Sequence, residues 1–393
     1  MSSRKVKIWI ILFVILIVSP SFTYPFVEKY VDTVNHENRI LKEKPMLTAE
    51  NYSTFAEEFE AYYNDNIPFR NQLIRLNNSI DFFVFHQSSN EGVAIGKEGW
   101  LFHSSDDDGN ALKQSLGYWK YSDEELQKIA GNLMTAKRIL ENRGIEFILY
   151  IAPNKATIYM DKTPDEYKVK DSVTCTDQLI EYLREKTDIR VVYPKEELLK
   201  ARKENPDIYF YRKLDSHWNE AGAYIGAQCL ASELGIEMQA FQELSLQPYF
   251  SIDCGLMQGL GIVIEDEDVG YHILGSNEGN TEYKEFAKGF IYQTEGADPR
   301  TLFVNRDSFS MALAPHIAPY FEKSVWVHRS DFEQEQILAY EADIFILETV
   351  ERYEKNLLDF KISFGDEAAN CTLKTSSGYG TVDGVKCSGK TGR

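Results

Sequence analysis

The run Ile145 to Ala152 (IEFILYIA) constrains the fold more than any other segment of the chain. It is apolar along nearly its whole length and of strand length, which suits a parallel strand covered on both faces. A helix precedes it. Ser122 followed three residues later by Glu125 is a capping box, and the helix it opens runs to about Asn142 before Gly144 stops it. The alternation continues with helical patterns at about 176–186, 219–234 and 308–322. Between them lie the apolar strands Ile189–Tyr193, Thr301–Asn305, Val325–His328 and Ile344–Glu348. Strands separated by helices predict βαβ units, hence an α/β fold built as a three-layer α/β/α sandwich on a mostly parallel sheet. Residues 236–295 break this rhythm and read as an insertion near the site.

The amino terminus obeys a different pattern. Arg4, Lys5 and Lys7 precede an uncharged stretch from Ile8 to Val27, and about 20 helical residues span a hydrocarbon core of roughly 30 Å. A signal-peptide core is the alternative, although no small-x-small cleavage site follows. Basic residues on the short side predict cytoplasm there and the body of the protein outside. Residues 50–85 then carry apolar positions at helical spacing, interrupted by Asp65-Asn66-Ile67-Pro68-Phe69-Arg70. Gly96-Lys97-Glu98-Gly99-Trp100-Leu101-Phe102 reads as a turn between two short strands.

Composition excludes some functions. The formal charge is -19, which argues against nucleic acid as a main partner. None of the five cysteines falls in a C-x-x-C pair, so a metal or redox site has little support. Cys371 and Cys387 bracket a Gly/Ser-rich tail and either pair or stay free like the rest. Residues 384–391 match the phosphate-loop letters G-x-x-x-x-G-K-T but lack the strand and helix that such a loop needs. The glycines of 254–261 fail the same test.

Nucleophilic acyl transfer needs a hydroxyl, an imidazole to take its proton and a carboxylate to orient the imidazole. Of seven histidines, only His217 has a carboxylate within the two preceding positions, in Asp215-Ser216-His217-Trp218. On an extended loop residues two apart point the same way, so Asp215 can take the Nδ1 proton and leave Nε2 free. The bland alternative is that Asp215 or Ser216 merely starts the following helix. Ser308, in Asn305-Arg306-Asp307-Ser308-Phe309, follows a strand and opens a helix, at the carboxyl edge of the sheet where open α/β proteins bind ligands. Helix capping by Asp307 or Ser308 is the alternative there. His316 lies too far along that predicted helix to serve Ser308.

Asp-x-His-Trp on one loop and Asp-Ser-Phe at a strand-to-helix turn, in that order, resemble the SGNH-hydrolase-like AlgJ/AlgX proteins of alginate O-acetylation, also called DHHW proteins. Glu37-Asn38-Arg39, the 65–70 and 96–102 segments, Ala152-Pro153-Asn154-Lys155 and Glu351-Arg352 look similar too. The resemblance implies a catalytic Ser308, His217 and Asp215, with no cofactor and no metal. It also implies a polysaccharide acceptor and an MBOAT-type membrane acyltransferase as acetyl donor. Arg306 stands where glycine is expected and Ser216 where a second histidine is. Asn154 and Lys155 are expected on the same rim, Asn154 as oxyanion donor or plain turn residue. Tyr159 and Trp218 are expected to stack on sugar rings or to pack in the core.

The expected layout is an anchor over 1–27, a helical linker over 28–110 packing on the catalytic domain, an SGNH-like acetyltransferase domain over 111–355 and a tail or small β extension over 356–393. The expected function is acetyl transfer to a cell-surface or exported polysaccharide, outside the cytoplasm, through an acetyl-serine. An acetyl-esterase with the same triad and a non-catalytic glycan-binding subunit are the rivals.

Overall fold

The fold comes from a computed structural model that describes residues 3–31, 41–251, 254–262, 268–275, 281–364, 372–375 and 378–381. Glu37-Asn38-Arg39, the Cys371 and Cys387 pair and the 384–391 motif lie outside the described residues. Cys175, Cys229 and Cys254 are free thiols. The chain divides into two compact units, Met1–Ser89 with Gln258–Val263, and Asn90–Met257 with Ile264–Arg393.

In the first unit the helix Ser3–Val27 runs through Pro20 and Pro25, and its apolar window is unburied. Its 25 residues make it about 37 Å long, and among the described residues it alone is long and apolar enough to cross a membrane. Helix Phe55–Asp65 ends before Ile67-Pro68, because proline disfavours the helical region for its predecessor. Helix Arg70–Ile80 follows and continues through the π turn Asp81–Phe85.

The second unit opens with the hairpin β1 (Val93–Ile95) and β2 (Leu101–His103). The division at residue 89/90 therefore groups this hairpin with the α/β unit and not with the linker, where the sequence reading put it. The remaining strands are β3 (Glu146–Ala152), β4 (Arg190–Val192), β5 (Ser245–Ser251), β6 (Asp268–Leu274), β7 (Thr281–Phe286), β8 (Gly289–Thr294), β9 (Asp298–Arg306), β10 (Phe321–His328) and β11 (Ile344–Val350). The main sheet has the order β4-β3-β11-β9-β10-β8-β7. Its first five strands are parallel and the last two antiparallel.

Period-two alternation feeds two cores. Phe147, Leu149, Ile151, Phe303, Val325 and Leu347 pack under helices Asp123–Glu141 and Cys175–Lys186. Ile148, Tyr150, Leu302, Val304, Trp326 and Ile346 pack under helices Glu220–Leu234 and Ser310–Ile317. Covering both faces makes a three-layer sandwich, and it explains why the central strands carry so little polarity. Capping boxes Ser122/Glu125 and Thr174/Asp177 start the first two helices.

Three sequence expectations move. The helix expected over 308–322 ends at Ile317, a 3-10 turn containing Pro319 follows, and β10 starts at Phe321. Helix Lys195–Glu204 was not anticipated. The 236–295 stretch forms the ribbon β5–β6 and the two antiparallel strands that extend the sheet.

β3, β9 and β11 lie side by side and end together. Asn154 and Lys155, Asp307 and Ser308, and Glu351 and Arg352 therefore share the carboxyl rim of the sheet.

Candidate active site

The loop carrying His217 is fastened from beneath. The Lys155 ammonium, buried, donates to the carbonyls of Arg212, Lys213 and Asp215 at 3.1, 3.1 and 2.6 Å. Burial pulls it down to about 7, while Asp268 and Asp215 act the other way. The Asp268 carboxylate accepts the N–H groups of Lys213 and Leu214, and Tyr211 bridges Trp218 across the loop.

Held this way, Asp215 faces His217. Its Oδ1 accepts the His217 backbone N–H at 2.8 Å and lies 2.5 Å from Nδ1, and its Oδ2 accepts the Gly255 N–H at 2.6 Å. Burial alone would raise this carboxyl, but the bonds from His217 and Gly255 outweigh it and hold the group well below the usual carboxylate range. An ionised carboxylate can only accept, so Nδ1 carries the ring proton. His217 Nε2 is 2.7 Å from Ser308 Oγ and left to accept from the hydroxyl. Both side chains are half-buried, open enough for a substrate to reach.

Ser308 is fixed by its neighbours. Buried Asp307 accepts the N–H groups of Phe309 (2.8 Å) and Val350 (2.6 Å), tying the turn to the end of β11. Glu348 accepts the Asp307 N–H and the Ser310 hydroxyl, and burial together with nearby Asp307 pushes its carboxyl well up, toward the protonated form. The Trp218 indole N–H donates to the Phe309 carbonyl at 2.9 Å, and the His217 ring packs on Phe309 at 4.9 Å.

The other sequence candidates are placed differently. Trp218 and Tyr159 are buried, so neither offers a face to a sugar. Tyr159 stacks on Trp100 at 4.3 Å and accepts the Phe210 N–H. Lys155 spends its three protons on the loop and holds none for a substrate. Asn154 sends its backbone N–H to Glu351 and its amide to Gln114, a buried polar network that Thr157 and Tyr193 complete; nothing brings it onto Ser308. Arg306 pairs with His328 as the last residue of β9 and has no positive φ, so glycine is not needed there. Its guanidinium lies 4.9 Å over Phe290. Ser216 lines a small cavity with His103, Asn154, Lys155 and Arg352.

Sequence reasoning missed Gly255, Asp268, Glu348 and Glu351. Glu351 stood in a similarity segment but carried no assigned role. The partners of these groups lie about 40 or more positions away, so no local spacing reveals them.

Sheet order, crossing helices and a serine at the carboxyl rim make this an SGNH hydrolase-like α/β protein. Residues 93–255 match the family model described as SGNH hydrolase-like domain, acetyltransferase AlgX. Over that span the chain is similar to the AlgJ and AlgX proteins. The matched span holds Asp215 and His217; Ser308 lies beyond it. A protein of Pseudomonas aeruginosa named probable alginate O-acetylase AlgJ is 25% identical over 179 residues, 46% of this chain and 42% of that protein. Its Pseudomonas putida counterpart is 25% identical over 177 residues, 45% and 42% of the two chains. The matches span less than half the length of these relatives. The structure of Bacillus cereus PatB1 superposes with a TM-score of 0.50 at 15% identity, covering 68% of this chain and 99% of that one, which supports the fold.

Proposed function

We propose that this chain is an extracytoplasmic O-acetyltransferase that moves acetyl groups to hydroxyls of a polysaccharide through an acetyl-Ser308 intermediate. The observation that carries the reading is the 2.7 Å separation of His217 Nε2 and Ser308 Oγ, with Nδ1 held by Asp215. The named relatives, each called a probable alginate O-acetylase, point to the acyl group and the acceptor class.

His217 takes the Ser308 proton as Oγ attacks the acetyl carbonyl. The tetrahedral oxyanion forms beside the start of helix Ser310–Ile317, where the helix dipole favours negative charge. The donor's leaving group takes the proton from His217. A sugar hydroxyl then gives its proton to the imidazole, attacks the acetyl-serine and releases Ser308. The helix Ser3–Val27 serves as membrane anchor and keeps the domain beside an MBOAT-type acyltransferase that delivers acetyl across the bilayer.

The test is incubation of the full chain with an activated acetyl ester, with and without polysaccharide, followed by mass spectrometry. Acetyl on the Ser308 peptide that disappears when glycan is added, with acetyl gained by the glycan, supports transfer. Hydrolysis that sugar does not affect makes the protein an esterase. Full glycan acetylation by Ser308→Ala makes it a non-catalytic subunit.

A further inference from the structure

We infer that the segment from Arg70 to Phe85 lies in the surface of the lipid bilayer as an interfacial helix, with Leu73, Leu76, Ile80, Phe83 and Val84 among the acyl chains. The inference rests on the reading of Ser3–Val27 as a membrane anchor.

These five apolar side chains lie open, Leu73 at 50%, Leu76 at 57%, Ile80 at 42%, Phe83 at 55% and Val84 at 65% of full exposure. At about 100° per residue in the α-helix and less through the π turn, they fall on one broad arc, and no charged residue stands among them. The opposite side faces protein. Phe82 is buried there, and the Asn78 amide donates to the Leu260 carbonyl at 2.7 Å within the same compact unit. The helix therefore packs Phe82 and Asn78 on protein and leaves the arc of five apolar residues open, with Phe85 also exposed.

What covers the apolar side follows from where the helix begins. Tyr24, in the last turns of Ser3–Val27, meets Phe69 edge to face at 5.1 Å, and Phe69 is the residue that caps helix Arg70–Ile80. Phe69 sits at φ 61°, a left-handed conformation that a bulky side chain avoids, so this turn is imposed by its surroundings. Aromatic residues at the end of a span sit at headgroup level. Whatever surrounds Tyr24 also surrounds Phe69 and the first turn of the helix. A helix starting at that depth, apolar on one side only, lies along the interface with that side about 5–10 Å into the headgroup and acyl boundary. The same continuity argues for lipid over a second copy of the chain.

The experiment places the full chain in nanodiscs of phosphatidylcholine, plain or brominated on the acyl chains, and reads tryptophan quenching. Leu76→Trp, Phe83→Trp and, as flank control, Asn77→Trp each add one emitter, and Trp9→Phe removes the one inside the anchor. The expected result is at least about two-fold loss of the emission added at 76 and 83 and clearly weaker loss at 77. The Trp9 signal, taken by difference, is quenched as well. If Trp9 is quenched while 76 and 83 are quenched no more than 77, the anchor stands and the interfacial helix is wrong. Blue-shifted but unquenched emission at 76 and 83 overturns it too, since protein then covers the arc. An unquenched Trp9 overturns the anchor and this inference together.

Discussion

Gly255 and Asp215 meet backbone to carboxylate at 2.6 Å, and only a glycine permits the meeting: a Cβ at 255 would stand 2.6 Å from Asp215 Oδ2. The carboxylate that orients His217 is thus itself oriented from a segment 40 residues away.

Gly255→Ala should push Asp215 off the imidazole without unfolding the sheet. The expected loss in acetyl transfer from an activated ester is about 10–100-fold, short of the roughly 10⁴-fold that follows loss of the orienting carboxylate in serine triads. Wild-type rates with an unchanged unfolding midpoint would show that the carboxylate needs no such support.

Lys155→Met keeps an unbranched side chain one atom shorter and removes the three donors from the carbonyls they serve. Loss of about 2–4 kcal/mol in unfolding free energy is expected, with a transfer rate at least about tenfold lower, because the His217 loop loses its fastening. Denaturant titration and the ester assay on the same preparation check both halves.

The raised Glu348 carboxyl predicts that its amide is a good replacement. Glu348→Gln can still accept from the Asp307 N–H and the Ser310 hydroxyl, and it should change stability by less than about 1 kcal/mol. Glu348→Ala strands those donors and should cost about 2–4 kcal/mol. Equal losses for the two variants would mean that the group is ionised in the fold.

His316 is half-buried against the edge of Tyr224 at 5.3 Å, and the burial of its ring lowers its pKa from about 6.5 to about 4. The unfolded chain takes up this proton first as the pH falls. The stabilising contribution of neutral His316 is complete above about pH 6.5 and is lost between about 6.5 and 4, by about 3 kcal/mol. His316→Gln should lose less stability than the wild type between pH 7 and 4.5; parallel losses would assign the acid sensitivity to the carboxylates.

The parallel core of the sheet was legible because burial on both faces leaves a one-dimensional mark, the apolar runs at Ile145–Ala152 and Ile344–Glu348. Capping at Ser122 was legible for the same local reason. Helix Lys195–Glu204 was not, since only Leu198 and Ala201 are buried and the rest is charged or half-exposed. β7 is mostly exposed and carries little apolar signal. Asp215, His217 and Ser308 could be picked out because two short loops each held distinctive residues. Trp218 and Tyr159 were ambiguous, since an aromatic ring reads the same in sequence whether it meets a ligand or the core. The glycine run at 254–261 was set aside as a phosphate loop, and one of its members turned out to touch Asp215 through its N–H alone.

The two loops are joined by consecutive residues on each side, His217 to Ser308 and Trp218 to Phe309. Two adjacent links act like two screws in a bracket: one alone would let the loops pivot, and the pair forbids it. The separation of His217 Nε2 and Ser308 Oγ is therefore held in part by a buried indole. Sequence change above the rim can then leave that separation untouched.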